Sequence, residues 1–178
     1  SLTLKDNAVT LANIHGDITG ILAAQTALPA FSLKADYNSQ GKSTAKVTAE
    51  SNGAIVLDLD AEFGMKDKNY RGELKLNTAS PVWLNALAKV FKADITLEDA
   101  VSVTWSGSGN AADFTDPNIA HVGSLKVAKL QLKLPDSPKL TITADASYSW
   151  PESVRLKSLT VREQEWAGNA ALTWNGKL

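Results

Sequence analysis

Apolar and polar residues alternate along most of the chain. Ile55, Leu57, Leu59, Ala61 and Phe63 are interleaved with Val56, Asp58, Asp60 and Glu62, the two-residue period of a strand that is buried on one side and wet on the other. The same period sets Phe31, Leu33, Ala35 and Tyr37 on one face of another strand. It sets Tyr70, Leu74 and Leu76 against Arg71, Glu73 and Lys75, and Leu140, Ile142, Ala144, Ala146, Tyr148 and Trp150 against Thr141, Thr143, Asp145, Ser147 and Ser149. The pattern predicts strands at 2–5, 8–14, 17–23, 31–38, 43–51, 54–63, 70–77, 95–105, 124–134, 139–150, 153–163 and 168–174.

Turn residues fill the gaps at Asp6-Asn7, 38–41, Asn52-Gly53, 64–69 and 135–138. Asn52-Gly53 is the strongest hairpin signal, because both residues tolerate the positive φ of a type I′ turn. Two strands change phase: Leu125 and Val127 give way to Leu130, Leu132 and Leu134, and Val154 and Leu156 give way to Leu159 and Val161. A one-residue slip would turn each apolar set to the wrong face, so bulges are expected near Ala128-Lys129 and Lys157-Ser158.

One helix interrupts the strands. Ser80 suits an N-cap and Pro81 the first helical position, and Val82, Trp83, Ala86, Leu87, Val90 and Phe91 then follow at helical spacing. This stripe is expected to plug an open end of the sheet with Trp83, Leu87 and Phe91 inward. A further helical turn is expected near residues 116–121.

The expected fold is therefore mainly all-β, a long antiparallel meander with one short amphipathic α-helix. About eleven such strands form a sheet too long to stay flat and open. It closes into a barrel, splits into a β-sandwich or folds along its length to leave an apolar groove. Small inward residues such as Ala35, Ala45, Ala49, Ala61, Ala144, Ala146 and Ala170 fit close sheet packing or a channel.

The 178 residues read as a single β-rich domain. The chain starts inside a strand pattern without Met and stops after a turn, which reads as a segment excised from a longer chain. No apolar run approaches the ~18 residues that span a bilayer. Eighteen basic against nineteen acidic side chains give a net charge of −1, and without a basic cluster nucleic acid is not an expected partner. The absence of cysteine excludes thiol catalysis, disulfides and thiolate zinc sites.

Candidate chemistry is sparse. Asp58, Asp60 and Glu62 share one strand face, but a single strand supplies too few oxygens for calcium and a charged stripe is the usual wet face. Asp113, Thr115, Asp116 and Asn118 form an acidic loop without an ordered ligand spacing. His15 and His121 have no ligand spacing and read as loop or turn residues. Gly107-Ser108-Gly109 reads as a flexible loop after a strand, lacking the residues of a phosphate cradle. No G-x-S-x-G elbow is present. No enzyme activity and no cofactor or metal is expected. Trp105, Trp150 and Trp174 lie at or near strand ends in phase with the apolar face and are expected at the rim of the core, with sugar stacking as the alternative.

The segments Val9–Gly20 and Val154–Gly176 resemble the strand, kink, strand, glycine units of the AsmA/TamB-like superfamily of Gram-negative envelope proteins, and Gly123–Leu134 resembles another such unit. The periplasmic part of the type II secretion protein N is a similar reading. The resemblance implies a periplasmic segment of a protein anchored in the inner membrane, with a taco-like sheet curled into a U-shaped trough. Such a trough serves phospholipid transport or outer-membrane protein assembly. Its partners would be phospholipid acyl chains or a hydrophobic β-strand of a client, including an outer-membrane protein. A trough lined by carbon holds acyl chains without polar groups, at about 0.8 kcal/mol per buried CH₂. On this reading Leu33, Ile55, Leu57, Leu59, Phe63, Leu74, Leu76, Val101, Val103, Leu140 and Ile142 line the groove. A structural or glycan-binding β-sandwich is the alternative.

Overall fold

A computed structural model of the chain describes residues 1–5, 8–112, 121–135, 139–150, 152–162 and 167–175. Its elements are β1 (Leu2–Lys5), β2 (Ala8–Ile18), β3 (Leu22–Ala23), β4 (Thr26–Ala27), β5 (Ala30–Asn38), β6 (Lys42–Ser51), β7 (Ala54–Gly64), β8 (Asn69–Thr78), α1 (Val82–Val90), β9 (Thr96–Leu97), β10 (Val101–Asn110), β11 (His121–Lys133), β12 (Lys139–Trp150), β13 (Ser153–Arg162) and β14 (Ala167–Asn175). Twelve strands form one antiparallel sheet in the order β1-β2-β5-β6-β7-β8-β10-β11-β12-β13-β14, with β9 beside β11, and β3 pairs only with β4. The protein is thus an all-β meander. β1 and β14 end the sheet without pairing to each other, so it is not a closed barrel.

Local chemistry explains the connections. Asn52 and Gly53 take φ of 53° and 76°, the type I′ geometry that matches the twist of β6 and β7. The β3–β4 hairpin turns through Ala24 and Gln25 at φ 45° and 66°, a left-handed pair that neither residue advertises in the sequence. The expected strand at 17–23 is divided accordingly: its first two residues complete β2 and its last two form β3. The expected strand at 95–105 is β9 followed by β10, which runs on to Asn110.

Both expected bulges are present. The register of β11 against β12 shifts between Val127 and Leu130, and that of β13 against β14 shifts between Leu156 and Leu159. Each extra residue restores the phase, so apolar residues stay on one face while the sheet bends. A third bulge was not apparent from the sequence. Glu50 faces Ile55 while Ala49 faces Leu57, which turns Ile55 onto the polar face and Val56 inward. Ile55 is 60% exposed and Val56 6%, so Ile55 is not part of the apolar face and Val56 replaces it.

The accessible surface of 11683 Å² is about 40% above the ~8,400 Å² of a compact monomer of this mass. Among the described residues the buried hydrophobics are only Ala23, Ala49, Val56, Trp83, Ala86 and Val101. A sandwich of two layers would bury the inward residues of every strand. Here one open layer leaves most of them half-exposed.

The fully enclosed cluster lies under α1. Trp83 packs with Ala49 and Val56, and Leu28, Phe31, Leu57, Leu76, Leu84 and Leu87 surround them. The Trp83 indole N–H donates to Thr78 Oγ1 (3.4 Å), and Asn85 clamps β9 by donating to and accepting from the Leu97 backbone, both at 2.7 Å. Trp83 and Leu87 thus form the expected plug. Phe91 does not, because the helix ends at Val90 and Phe91 is its C-cap, 78% exposed. Val82 and Val90 are also exposed. The N-cap is Pro81, not Ser80, and no side chain caps the first turn; the Ser80 carbonyl instead accepts from Thr78 Oγ1 at 2.7 Å.

Between β9 and β10 the chain is pinned to the β11 bulge by Asp99, whose carboxylate accepts from Lys129 Nζ at 2.6 Å. The Lys129 hydrogen bond, with help from the Ala100 N–H, holds the Asp99 carboxyl below the usual carboxylate range. A depressed folded pKa contributes stability above the unfolded value, and that contribution is lost as pH falls through the folded value. Carbon-detected NMR titration is expected to place the Asp99 midpoint below ~3.9. Lys129→Met is expected to return it toward that figure.

Candidate functional site

Antiparallel register aligns the apolar residues of successive strands into rows that cross the sheet. One row is Phe31, Ala49, Leu57, Leu76, Val103, Val127, Ala144, Leu159 and Ala170. The next is Leu33, Val47, Leu59, Leu74, Trp105, Leu125, Ala146, Leu156 and Leu172. A third is Ala35, Ala45, Ala61, Gly72, Gly107, Gly123, Tyr148, Val154 and Trp174. Leu33, Leu57, Leu59, Phe63, Leu74, Leu76, Val101, Val103, Leu140 and Ile142 share this face. Val101 differs from the rest because it is fully buried opposite Thr78.

Glycine in the third row makes room for aromatic rings. A methyl group on Gly107 would lie 2.6 Å from Trp105 Cζ2 and 2.8 Å from the Tyr148 hydroxyl, and one on Gly72 would lie 2.9 Å from Trp105 Cζ3. A Cβ on Gly123 would meet the Tyr148 ring at 2.5 Å. Trp105 and Tyr148 therefore lie flat across neighbouring strands, the arrangement in which an aromatic covers a strand glycine. Gly107 and Gly109 are interior residues of β10, not a loop, for this reason. Gly107→Ala is expected to cost about 1–3 kcal/mol, the penalty of overpacking, read by urea denaturation.

Beside the rings, Ala45, Ala61 and Gly72 form the floor of a depression of about 350 Å³ walled by Leu59, Phe63, Tyr70 and Trp105. Its lining is almost entirely carbon. Toward α1 and the β3–β4 hairpin the face is closed by Trp83 and Leu87. At the other end aromatic groups gather. Tyr70 Oη and His121 Nδ1 are 2.9 Å apart and their rings stack at 5.8 Å. Burial pushes the Tyr70 phenol up, with a smaller contribution from Tyr148. Trp150 faces His121 across the β11–β12 pair and stacks on Trp174 at 5.2 Å.

Both histidines lie in strands, not in loops or turns. His15 is an exposed residue of β2, and His121 opens β11 at 6% exposure, its ring admitted by the missing side chain of Gly109. Trp105 is a half-buried mid-strand residue instead of a rim group, while Trp150 is 43% exposed. The acidic loop candidates Asp113, Thr115, Asp116 and Asn118 fall outside the described residues, as does the helical turn expected over 116–121 apart from its last residue, His121, which begins β11 instead.

The opposite face is ionic. Lys46 Nζ lies 3.3 Å from Asp58 and 3.7 Å from Asp60, Lys42 Nζ lies 2.6 Å from Glu62, and Arg71 lies 3.0 Å from Glu73. The carboxylate row of β7 is thus matched by lysines of the adjacent strand β6, as a solvated sheet face requires. Among the described residues no three His, Asp or Glu side chains converge as metal ligands, and no helix is long and apolar enough to cross a membrane. Comparison with protein-family models, curated proteins and solved structures finds no match.

Proposed function

We propose that the apolar face is the inner wall of a trough that shelters hydrocarbon, and that the chain is a periplasmic segment of an inner-membrane-anchored envelope protein serving phospholipid transport or outer-membrane protein assembly. One observation carries this reading: a continuous apolar face spans the sheet while, among the described residues, the enclosed side chains gather at the end beneath α1. Contiguous exposed apolar surface beyond a few hundred Å² marks an interaction site. The face offers carbon and few polar groups, which suits an acyl chain better than a substrate needing orientation.

Organic extraction of the purified protein followed by mass spectrometry tests the reading. Phospholipid in stoichiometric amount is the expected result; a lipid-free protein that also takes up no added lipid would leave an inert scaffold as the better description. The exposure of Trp150 favours a second reading, glycan stacking. That reading predicts sugar-dependent quenching of tryptophan fluorescence, and Trp150→Ala would abolish it.

A further inference from the structure

We propose that the β7–β8 turn is a headgroup site, in which Lys68 binds the phosphodiester of an anionic phospholipid whose acyl chain lies in the Ala45–Ala61–Gly72 depression. The inference rests on the lipid reading of the apolar face and adds to it an entry point and a polar contact. The exposed lining of the depression is almost all carbon, and its charged members Glu62 and Arg71 are engaged with Lys42 and Glu73, so it can hold a tail but does little to orient an amphiphile. The charge that could do so stands at its rim. Lys68 Nζ lies over the Phe63 ring, 6.0 Å from its centroid, and Phe63 is a wall of the depression.

Charge complementarity favours an anion there. The turn carries Lys66 and Lys68 against Asp67 alone. The Asp67 carboxylate is turned inward over Gly64, where it accepts the Asn69 N–H at 3.1 Å. Lys42 is already engaged with Glu62, and Lys68 makes no ion pair among the described residues.

The backbone points the same way. Lys68 takes φ 59°, a left-handed conformation that costs a side-chain-bearing residue roughly 1–2 kcal/mol. Surrounding bonds impose it: Lys68 N–H donates to the Gly64 carbonyl (2.8 Å), Ala111 N–H to the Lys68 carbonyl (2.8 Å), and Asn110 Nδ2 to the Asp67 carbonyl (2.6 Å). The turn is tied to the end of β10, and it fixes the backbone from which the Lys68 side chain reaches over the Phe63 ring at the edge of the apolar seat.

The test uses the whole chain, delipidated and titrated with monomeric phosphatidylglycerol whose acyl chains carry bromine, with quenching of the Trp105 emission as the readout. Quenching that disappears in Trp105→Phe locates the tail in the depression. Lys68→Asn removes the charge while keeping a residue that tolerates positive φ. It is expected to weaken phosphatidylglycerol binding about fivefold at low salt, the effect of one lysine at a phosphate surface, with the difference shrinking as salt screens it. Brominated diacylglycerol, which lacks the phosphate, is expected to bind both forms equally, and Ala61→Leu is expected to weaken both lipids by filling the seat.

Equal phosphatidylglycerol affinity of Lys68→Asn and the parent protein would overturn the headgroup site and leave the trough intact. Millimolar inorganic phosphate competing with the lipid would also overturn it, by showing a site for the free anion. No quenching by any lipid, with an amphipathic β-strand peptide bound instead, would overturn the lipid reading itself.

Discussion

Trp83→Ala is expected to destabilise the protein by about 3–5 kcal/mol, the range for removing a large aromatic from an enclosed site. Trp83 is the largest member of the small set of buried hydrophobics, and it joins α1 to Ala49 of β6 and Val56 of β7. Its indole N–H also satisfies Thr78 Oγ1, which is itself buried. Removing it leaves a cavity under the helix and frees the end of the apolar face that the helix covers. Phe91→Ala provides the contrast, since Phe91 lies one residue past the helix and its ring stands in solvent. Its cost is expected to stay within about 0.5 kcal/mol. Urea denaturation of both variants, followed by circular dichroism, measures the difference. Equal costs would mean that Trp83 does not hold the helix to the sheet.

The contrast between Trp83 and Phe91 also marks where sequence reading stops. Helical spacing put both on one stripe, but the stripe is real only while the helix lasts, and the chain leaves it at Val90 for reasons of tertiary packing. The Asn85 clamp on Leu97 pulls the following segment into β9, a contact no local pattern announces. Strand alternation was more legible because its period is short and repeated. The bulges near Ala128-Lys129 and Lys157-Ser158 could be placed to within two residues, since a phase change without a bulge would bury charge. The bulge at Ile55–Val56 stayed hidden for the opposite reason: both residues are apolar and β-branched, so either could face inward, and only the pairing of Glu50 with Ile55 decides.

Glycine misled more than any other residue. Gly107-Ser108-Gly109 carries the composition of a loop, yet it continues the alternation of Val101, Val103 and Trp105 by two more steps. A glycine two residues after a strand tryptophan, with further glycines in register at 72 and 123, is the signal that was available. It became readable only once pairing aligned the three strands. His121 follows the same logic, its burial being set by Gly109 of the preceding strand.

If the apolar face holds lipid as proposed, Leu74→Asp is expected to abolish its binding while leaving the fold in place, and Leu57→Asp to unfold the capped end. Both leucines lie on the apolar face, in adjacent rows of paired strands. Leu57 touches the enclosed cluster beneath α1, so a carboxylate there is an unpaired charge against the core, and a cost of about 3 kcal/mol or more is expected. Leu74 lies between Leu59 and Trp105 on the uncovered part of the face, where water can reach a charge when no ligand covers it, and its cost is expected to stay near 1–2 kcal/mol. An acyl chain laid on that carboxylate would displace its water. A charge facing hydrocarbon costs roughly 2.5–3.5 kcal/mol, so lipid retention should fall by about two orders of magnitude. The paired measurement is thermal unfolding beside lipid content by mass spectrometry. A folded Leu74→Asp protein that retains its lipid would show that the ligand lies elsewhere, and a Leu74→Asp protein as unstable as Leu57→Asp would show that the face is packed against something and not open.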